Sequence, residues 1–182
     1  MKQYTAMAMS LQTPRLSLRL RDECDAEWNH ELLGEHEGGT AESVRDVRLR
    51  LAKQRIESAS SGIGLLTIRR RADDEPLGYC GLIVGRCSLD EPEIAYELLK
   101  RFHGCGYATE AAHAVLEAAF ATGRIRSGQP WGHGTNRLCG SWTNLAFNAT
   151  TRASTIMVRS YGWSGKRQTL AISLTARESS IA

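Results

Sequence analysis

The sequence predicts a single domain of the α+β class, in which a mostly antiparallel central sheet is flanked by helices. The chain has 182 residues and 42% of them are hydrophobic, which suffices for one core. Several segments with the two-residue period of strands follow one another without a helix between them, which favours antiparallel pairing. Segments with helical spacing come before and after that run, so helices are expected to cover the sheet.

The beginning of the chain predicts a loose leader followed by a strand. Residues 1–12 have no clear period and are expected to form the leader. Strand signals begin at Pro14, after which Leu16, Leu18 and Leu20 alternate with polar side chains. This alternation is typical of a strand with one buried face.

Two helices are predicted next. The first spans residues 25–33 and ends at Gly34, a residue type that commonly follows a helix. The second spans residues 41–58 and has a largely charged surface. Its apolar residues follow helical spacing and are expected to face the core: Val44, Val47, Leu51 and Ile56.

Three further strands are predicted at residues 65–70, 77–85 and 93–99, with polar turns between them. Side chains two residues apart share one face of a strand. In the last strand, the residues expected to face the core are Ile94, Tyr96 and Leu98.

The remainder of the chain divides into an ordered part and an unpatterned tail. Residues 100–106 form a predicted glycine-containing loop, and residues 107–121 an alanine-rich helix. From residue 127 the amphipathic periods disappear. Only residues 148–155 and 169–175 have weak strand character.

Charge and composition exclude several classes of protein. No apolar run approaches the roughly 20 residues of a membrane span, and no secretory signal is evident, so a cytoplasmic protein without membrane contact is expected. Residues 127–182 contain six of the 23 basic side chains and one of the 20 acidic ones. Six bases over that length are too sparse for a nucleic-acid-binding surface, so this alternative ranks last.

The five cysteines do not indicate a metal site or a disulfide framework. No pair has C-x-x-C spacing, and their number is odd. Reduced thiols in a cytosolic protein are therefore expected. The residues concerned are Cys24, Cys80, Cys87, Cys105 and Cys139.

The segment with the clearest chemistry is the loop between the last predicted strand and its helix. Gly104 and Gly106 let the backbone turn sharply and approach a ligand without an intervening Cβ. The unpaired N–H groups at the start of the following helix favour an anion such as a pyrophosphate. Lys100 and Arg101 add positive charge at the rim, while Thr109 can bind a phosphate oxygen or cap the helix. Taken alone, the two glycines also fit an ordinary strand-to-helix turn.

This loop resembles the acetyl-CoA signature of the GNAT superfamily of N-acetyltransferases. The matching pattern is Arg101-x-x-Gly104-x-Gly106. Its residues most resemble those of the branch that contains the ribosomal-protein alanine N-acetyltransferases. Three further stretches are similar to that branch in order and spacing. They are Thr13-Pro14-Arg15-Leu16-Ser17-Leu18-Arg19, Leu77-Gly78-Tyr79-Cys80-Gly81 and Glu93-Ile94-Ala95-Tyr96-Glu97-Leu98, so the resemblance covers about residues 13–126.

The resemblance implies acetyl-CoA as co-substrate and assigns residues to it. The pantetheine arm would pair with the free edge of the strand that ends at Leu98 and Leu99. The pyrophosphate would lie against the backbone of residues 104–108. The cofactor-binding positions implied in this way are Leu98, Leu99, Arg101, Gly104, Cys105, Gly106, Tyr107, Ala108 and Thr109.

The resemblance also implies direct attack of a primary amine on the thioester in a ternary complex. Because the amine is protonated at neutral pH, a base must take its proton. Glu93 and Glu97 are the candidates, since strand alternation places both on one face. Either can instead be a solvated strand residue. Glu110 is expected to be a helix N-terminal charge rather than a catalyst.

The acceptor is left open by the sequence. A protein N-terminus, an aminoglycoside-like drug and a small polyamine are all primary amines that fit the implied reaction. Many members of the family form homodimers, so a homodimer also stays open. The alternative to an active enzyme is a CoA-binding remnant or interaction domain that has lost catalysis.

Residues 127–182 depart from the family, whose pattern there is W-N-x-x-S followed by a helix that ends in L-G-F. The neighbouring reading frame permits these residues. Trp142-Thr143 forces Asp in that frame, and His133-Gly134-Thr135 allows Trp-Asn. We therefore interpret the tail as the product of a frameshift near Arg126, with a divergent natural tail as the alternative.

Overall fold

The computed structural model describes residues 4–36, 38–84, 89, 92–123, 154–161 and 167–174, and for the last two ranges it gives backbone pairing alone. The helices are α1 (Ala26–Gly34), α2 (Val44–Ser61) and α3 (Tyr107–Ala121). Short 3₁₀ turns lie at Glu23–Asp25 and Lys100–Phe102. The strands are β1 (Ser10–Gln12), β2 (Leu16–Leu20), β3 (Leu65–Arg70), β4 (Pro76–Ile83), β5 (Glu93–Leu98), β6 (Ser154–Tyr161) and β7 (Arg167–Leu174).

The main sheet has five strands in the order β1-β2-β3-β4-β5, and every neighbouring pair is antiparallel. Helix α3 contacts β2, β4 and β5, while α1 contacts α2 and β4. This arrangement confirms the predicted α+β class with an antiparallel sheet flanked by helices. Strands β6 and β7 form a separate antiparallel pair, with Ser154 opposite Leu174. The rest of residues 124–182, which include most of the proposed frameshifted tail, lies outside the described residues.

The prediction of a loose leader over residues 1–12 is wrong. Strand β1 pairs with β2, and Met7 is only 2% exposed. The Met7 N–H donates to the Gly62 carbonyl oxygen at 2.8 Å. A strand of three residues is too short to produce a recognisable period, so its pairing depends on a partner that local sequence does not reveal.

Helix α2 begins and ends three residues later than predicted. Ser43 caps its N-terminus in a capping box with Asp46, and Gly62 ends it in the left-handed conformation with φ = 71°. Val47 and Leu51 are buried, as predicted. Ile56, which the spacing assigned to the core, is 66% exposed. At 3.6 residues per turn it lies about 140° around the helix from the buried Leu51, so it faces away from the core.

The core lies between the sheet and its helices. Leu16, Leu18, Leu66 and Ile68 are at most 1% exposed. Each such side chain contributes about 2 kcal/mol through burial. Alanines of α3 face them and let the helix approach the sheet closely. The buried α3 alanines are Ala111, Ala112, Ala118 and Ala119.

Two glycines set the spacing of the central strands. A Cβ on Gly78 of β4 would lie 2.1 Å from the Glu97 carbonyl oxygen of β5. A Cβ on Gly81 would lie 2.2 Å from the Gly64 carbonyl oxygen. No side chain fits at either point, so these glycines bring β4 close to β5 and to the chain entering β3.

Candidate active site

The predicted strand, glycine turn and helix are present in that order. Strand β5 ends at Leu98, the 3₁₀ turn follows, and α3 begins at Tyr107. Gly104 and Gly106 adopt the left-handed conformation with φ of 76° and 78°, which only glycine adopts easily. Gly106 occupies the N-cap position, and among the described residues no side chain caps the helix there. The first N–H groups of α3 therefore have no partner within the helix.

The outer edge of β5 offers backbone groups beside this turn. The Leu99 N–H donates to the Leu77 carbonyl oxygen at 2.9 Å, which makes that pair a hydrogen-bonded one. Opposite residues alternate between bonded and non-bonded pairs, so Leu98, opposite Gly78, directs its N–H and C=O away from β4. Among the described residues no strand pairs with this edge. The imidazole Nε2 of His103 lies 2.8 Å from the Leu98 carbonyl oxygen.

Leu98 and Leu99 can serve a ligand only through their backbone. Their side chains are 6% and 0% exposed and belong to the core. Cys105 is exposed, and its thiol is free, as are those of Cys24 and Cys80. Cys87 and Cys139 lie outside the described residues.

Arg15 lies against the glycine turn, although sequence reasoning did not select it for the site. Its Nη1 donates to the Cys105 carbonyl oxygen at 3.1 Å, and its guanidinium lies 4.7 Å from the centroid of the Tyr107 ring. Its Nε donates to Glu110 Oε2 at 2.6 Å. The contacts join residues far apart in the chain, so no local pattern indicates them.

Glu110 anchors this arginine. Its Oε1 accepts hydrogen bonds from the Thr13 hydroxyl at 2.5 Å and from the Arg15 N–H at 3.0 Å. Partial burial alone would raise the pKa of Glu110, but the bonds from Thr13 and Arg15 outweigh it, and the pKa is lowered. Glu110 thus ties the start of β2 to the first turn of α3.

The two basic residues predicted at the rim are engaged by α1. Arg101 Nη1 contacts Glu31 Oε1, and Arg101 Nη2 lies 3.8 Å from Glu75 Oε1. The Lys100 N–H donates to Glu35 Oε2 at 2.8 Å, and Lys100 Nζ donates to the Glu35 carbonyl oxygen. The carboxylates of Glu31 and Glu75 therefore partly neutralise Arg101, and Glu35 fixes the 3₁₀ turn against the end of α1.

The structure brings one of the two predicted bases into a polar cluster. Glu97 Oε1 contacts His36 Nε2, and the Tyr79 hydroxyl donates to Glu97 Oε2 at 3.0 Å. Glu93 shares the face of Glu97 but lies four residues earlier, about 13 Å away along the strand. Tyr96 packs against the core, as predicted.

A buried arginine supports Tyr79 from the other side. The Arg21 guanidinium lies 4.7 Å from the centroid of the Tyr79 ring, and its Nη2 donates to Gln54 Oε1 at 2.7 Å. Burial lowers the pKa of Arg21 to about 10. Burial, together with the neighbouring Glu97 carboxylate, raises the pKa of Tyr79, so the phenol stays a hydrogen-bond donor at neutral pH.

The described part of the chain has no group of His, Cys, Asp and Glu residues suited to holding a metal ion. None of its helices is long and apolar enough to cross a membrane.

Comparison with known proteins supports this assignment of elements. A family model described as an acetyltransferase (GNAT) domain matches residues 15–157. A search of curated proteins gave no match.

Solved structures with the same fold include several acetyltransferases. A putative GnaT-family acetyltransferase from Bordetella pertussis matches with a TM-score of 0.57 at 19% identity, over 64% of this chain and 74% of its own. An acetyltransferase from Agrobacterium tumefaciens str. C58 matches with a TM-score of 0.53 at 26% identity, over 64% and 69%. RimL, a ribosomal L7/L12 alpha-N-protein acetyltransferase solved with coenzyme A, matches with a TM-score of 0.51 at 18% identity, over 63% and 68%.

Proposed function

This chain belongs to the GNAT acetyltransferase family, and on that premise we propose that it transfers an acetyl group from acetyl-CoA to a primary amine. The observation that carries the proposal is the uncapped start of α3 behind the left-handed glycines Gly104 and Gly106. A Cβ at Gly106 would occupy space on the ligand side of the turn, 3.5 Å from Arg15 Nη2. This chemistry fits a pyrophosphate, which backbone N–H groups and a guanidinium bind well.

Acetyl-CoA would be held by three parts of the chain. The backbone of residues 104–109 would bind the pyrophosphate, and Arg15 would stand beside it. The outward N–H of Leu98 would pair with a carbonyl of the pantetheine arm, and its C=O, which His103 contacts, has a second lone pair for an amide N–H of that arm. The bound cofactor supplies the thioester, and RimL, solved with coenzyme A, supports this choice of ligand.

Glu97 is the base that we favour. Its carboxylate is held on both oxygens yet remains 24% exposed, so an amine or a water can still reach it. The ammonium gives one proton to the carboxylate, the neutral nitrogen bonds to the acetyl carbon, the C–S bond breaks, and the second proton that the nitrogen loses is taken up by the CoA thiolate. Positioning of the two substrates supplies most of the acceleration. Glu93 remains the alternative base.

The acceptor remains one of the three classes that the sequence leaves open. A protein N-terminus, an aminoglycoside-like drug and a small polyamine each supply the required amine. The cytoplasmic location and the homodimer also stay predictions. A CoA-binding remnant without catalysis is the second candidate, because residues 127–182 lack the family pattern.

The experiment that tests the cofactor site compares two glycine variants. Gly106 and Gly123 have nearly equal φ, 78° and 74°, and Gly123 ends α3 far from the turn. Valine at either position costs about 1–3 kcal/mol of backbone strain. We expect Gly106→Val to abolish acetyl-CoA binding in isothermal titration calorimetry, while Gly123→Val binds like the wild type.

Equal affinities of the two variants would contradict the pyrophosphate site. Thioester consumption with a panel of amines then separates the enzyme from the remnant. Binding of acetyl-CoA without turnover of any amine would favour the remnant.

A further inference from the structure

The segment that follows α1 places a histidine on the carboxylate proposed as the base. Nε2 of His36 contacts Oε1 of Glu97 across 61 residues of sequence. We propose that His36 is a positioning residue that fixes the Glu97 carboxylate for proton transfer from the amine. This inference rests on the proposed function and extends it to a residue outside the family signature.

The contact with His36 leaves the Glu97 carboxylate able to accept a proton. An ionised carboxylate has about four lone-pair directions, and His36 and Tyr79 use one on each oxygen of Glu97. The side chains of His36 and Glu97 are 15% and 24% exposed, so their contact is only partly screened by water. Two held oxygens leave the carboxylate little freedom to rotate, which is the property required of a group that must meet a bound amine.

The backbone of His36 is held by two hydrogen bonds of its own. The His36 N–H donates to the Leu33 carbonyl oxygen at 3.2 Å, and the His36 carbonyl oxygen accepts from the Gly39 N–H at 2.8 Å. Glu35, the preceding residue, is fixed separately by Lys100. Because the backbone is held by these contacts, removal of the ring is expected to release Glu97 while the loop keeps its place.

Among the described residues, two cations act on the Tyr79 hydroxyl that holds Glu97, namely Arg21 and Arg50. The Arg21 guanidinium lies 4.7 Å from the centroid of the Tyr79 ring and attracts the Glu97 carboxylate. The carboxylate thus lies between a neutral phenol backed by a cation and an imidazole.

The test compares His36→Ala with His36→Gln in the full chain, with acetyl-CoA and the amine that gives the highest turnover. We expect His36→Ala to lower kcat about 10- to 100-fold, with the KM for acetyl-CoA within twofold of the wild type. Gln can donate a hydrogen bond to Glu97, so His36→Gln is expected to recover part of kcat. The control is His113→Ala, because His113 pairs with Glu117 on the surface of α3 at 3.6 Å and is expected to keep full kcat.

A second readout does not depend on turnover. In ¹⁵N NMR of the full chain, Glu97→Gln should shift the Nε2 resonance of His36 and leave that of His113 unchanged. An unshifted His36 resonance would overturn the proposal. Wild-type kcat in His36→Ala would also overturn it, while leaving the proposed function intact. If the wild type binds acetyl-CoA but acetylates no amine in the panel, both the proposed function and the positioning role fail.

Discussion

At the scale of single residues, Asp25 is the buried charge on which the polar interior depends. It is 0% exposed and accepts hydrogen bonds from the side chains of Arg19, Trp28 and Thr67 at 2.7–2.9 Å. It also accepts from the Asp22 N–H in the capping box that precedes α1. One carboxylate therefore joins β2, β3 and the start of α1.

Asp25→Asn is expected to destabilise the fold by about 3 kcal/mol. The substitution removes the charge that Arg19 requires and turns one of the two acceptor oxygens into an amide donor, which would face either Trp28 or Thr67. Urea unfolding followed by tryptophan fluorescence measures the change. The matched control is Asp74→Asn, since the Asp74 side chain is 76% exposed, and its effect should stay within about 0.5 kcal/mol. A cost below about 1 kcal/mol at Asp25 would contradict the role given to it.

The residues of the candidate site differ in how far the sequence predicts them. Gly104 and Gly106 could be predicted because their signal is local, namely two close glycines between a strand and a helix. The shared face of Glu93 and Glu97 follows from strand alternation. Arg15 and His36 reach their partners across 90 and 61 residues, and no period or motif near either one encodes the contact.

At the scale of elements, Glu110 connects the start of β2 to α3, and this connection should depend on pH. The pKa of Glu110 is lowered in the folded chain, so the unfolded chain binds its proton more readily. The resulting stabilisation is complete above the ordinary pKa of a glutamate. It is lost as the pH falls through the lower, folded value.

Glu110→Gln should therefore flatten the loss of stability on acidification. The free energy of unfolding in urea, measured from pH 7 downward, should fall less steeply in the variant than in the wild type. Glu117→Gln is the control, since the Glu117 side chain is 64% exposed and pairs only with His113 among the described residues. Parallel pH curves for wild type and Glu110→Gln would show that the contacts of Glu110 add nothing to stability.

Elements with strong local patterns match their predictions closely. The predicted and observed bounds of β3 and α3 are the same, because alternation and alanine content mark them clearly. Strand β1 and the ends of α2 depend instead on a pairing partner and on capping residues. A pairing partner and a capping residue leave a weaker trace in the sequence than a hydrophobic period does. The predicted and observed boundaries therefore differ at β1 and at the ends of α2.

At the scale of the whole molecule, the tail is the part of the chain whose sequence disagrees with its family. Motifs of the GNAT family are recognisable over residues 13–126, and the family model continues to residue 157. The family pattern W-N-x-x-S and L-G-F is absent from residues 127–182 as written. A frameshift near Arg126 would explain the missing motifs, but it stays a prediction, because the family model also matches residues 127–157, where a frameshifted segment should match no family.

The nucleotide sequence of the gene between codons 120 and 150 tests this interpretation. We expect the neighbouring frame to encode W-N-x-x-S and then L-G-F. The acceptor should then be identified on the corrected protein, because the resemblance implies that the strands after these motifs form half of the acceptor cleft. A neighbouring frame without these motifs would establish a divergent natural tail, and acetyl-CoA binding by the present chain would become the deciding measurement.

The close approach of β4 to its neighbours has a consequence for the history of this sequence. Every single-base change in a glycine codon that encodes a different amino acid adds at least a Cβ. At Gly78 and Gly81 that atom would lie within 2.2 Å of a carbonyl oxygen in the adjoining chain. No amino-acid change at these two positions is therefore neutral, and while the fold is under selection Gly78 and Gly81 are expected to be replaced far more slowly than exposed residues such as Leu49 and Ile56.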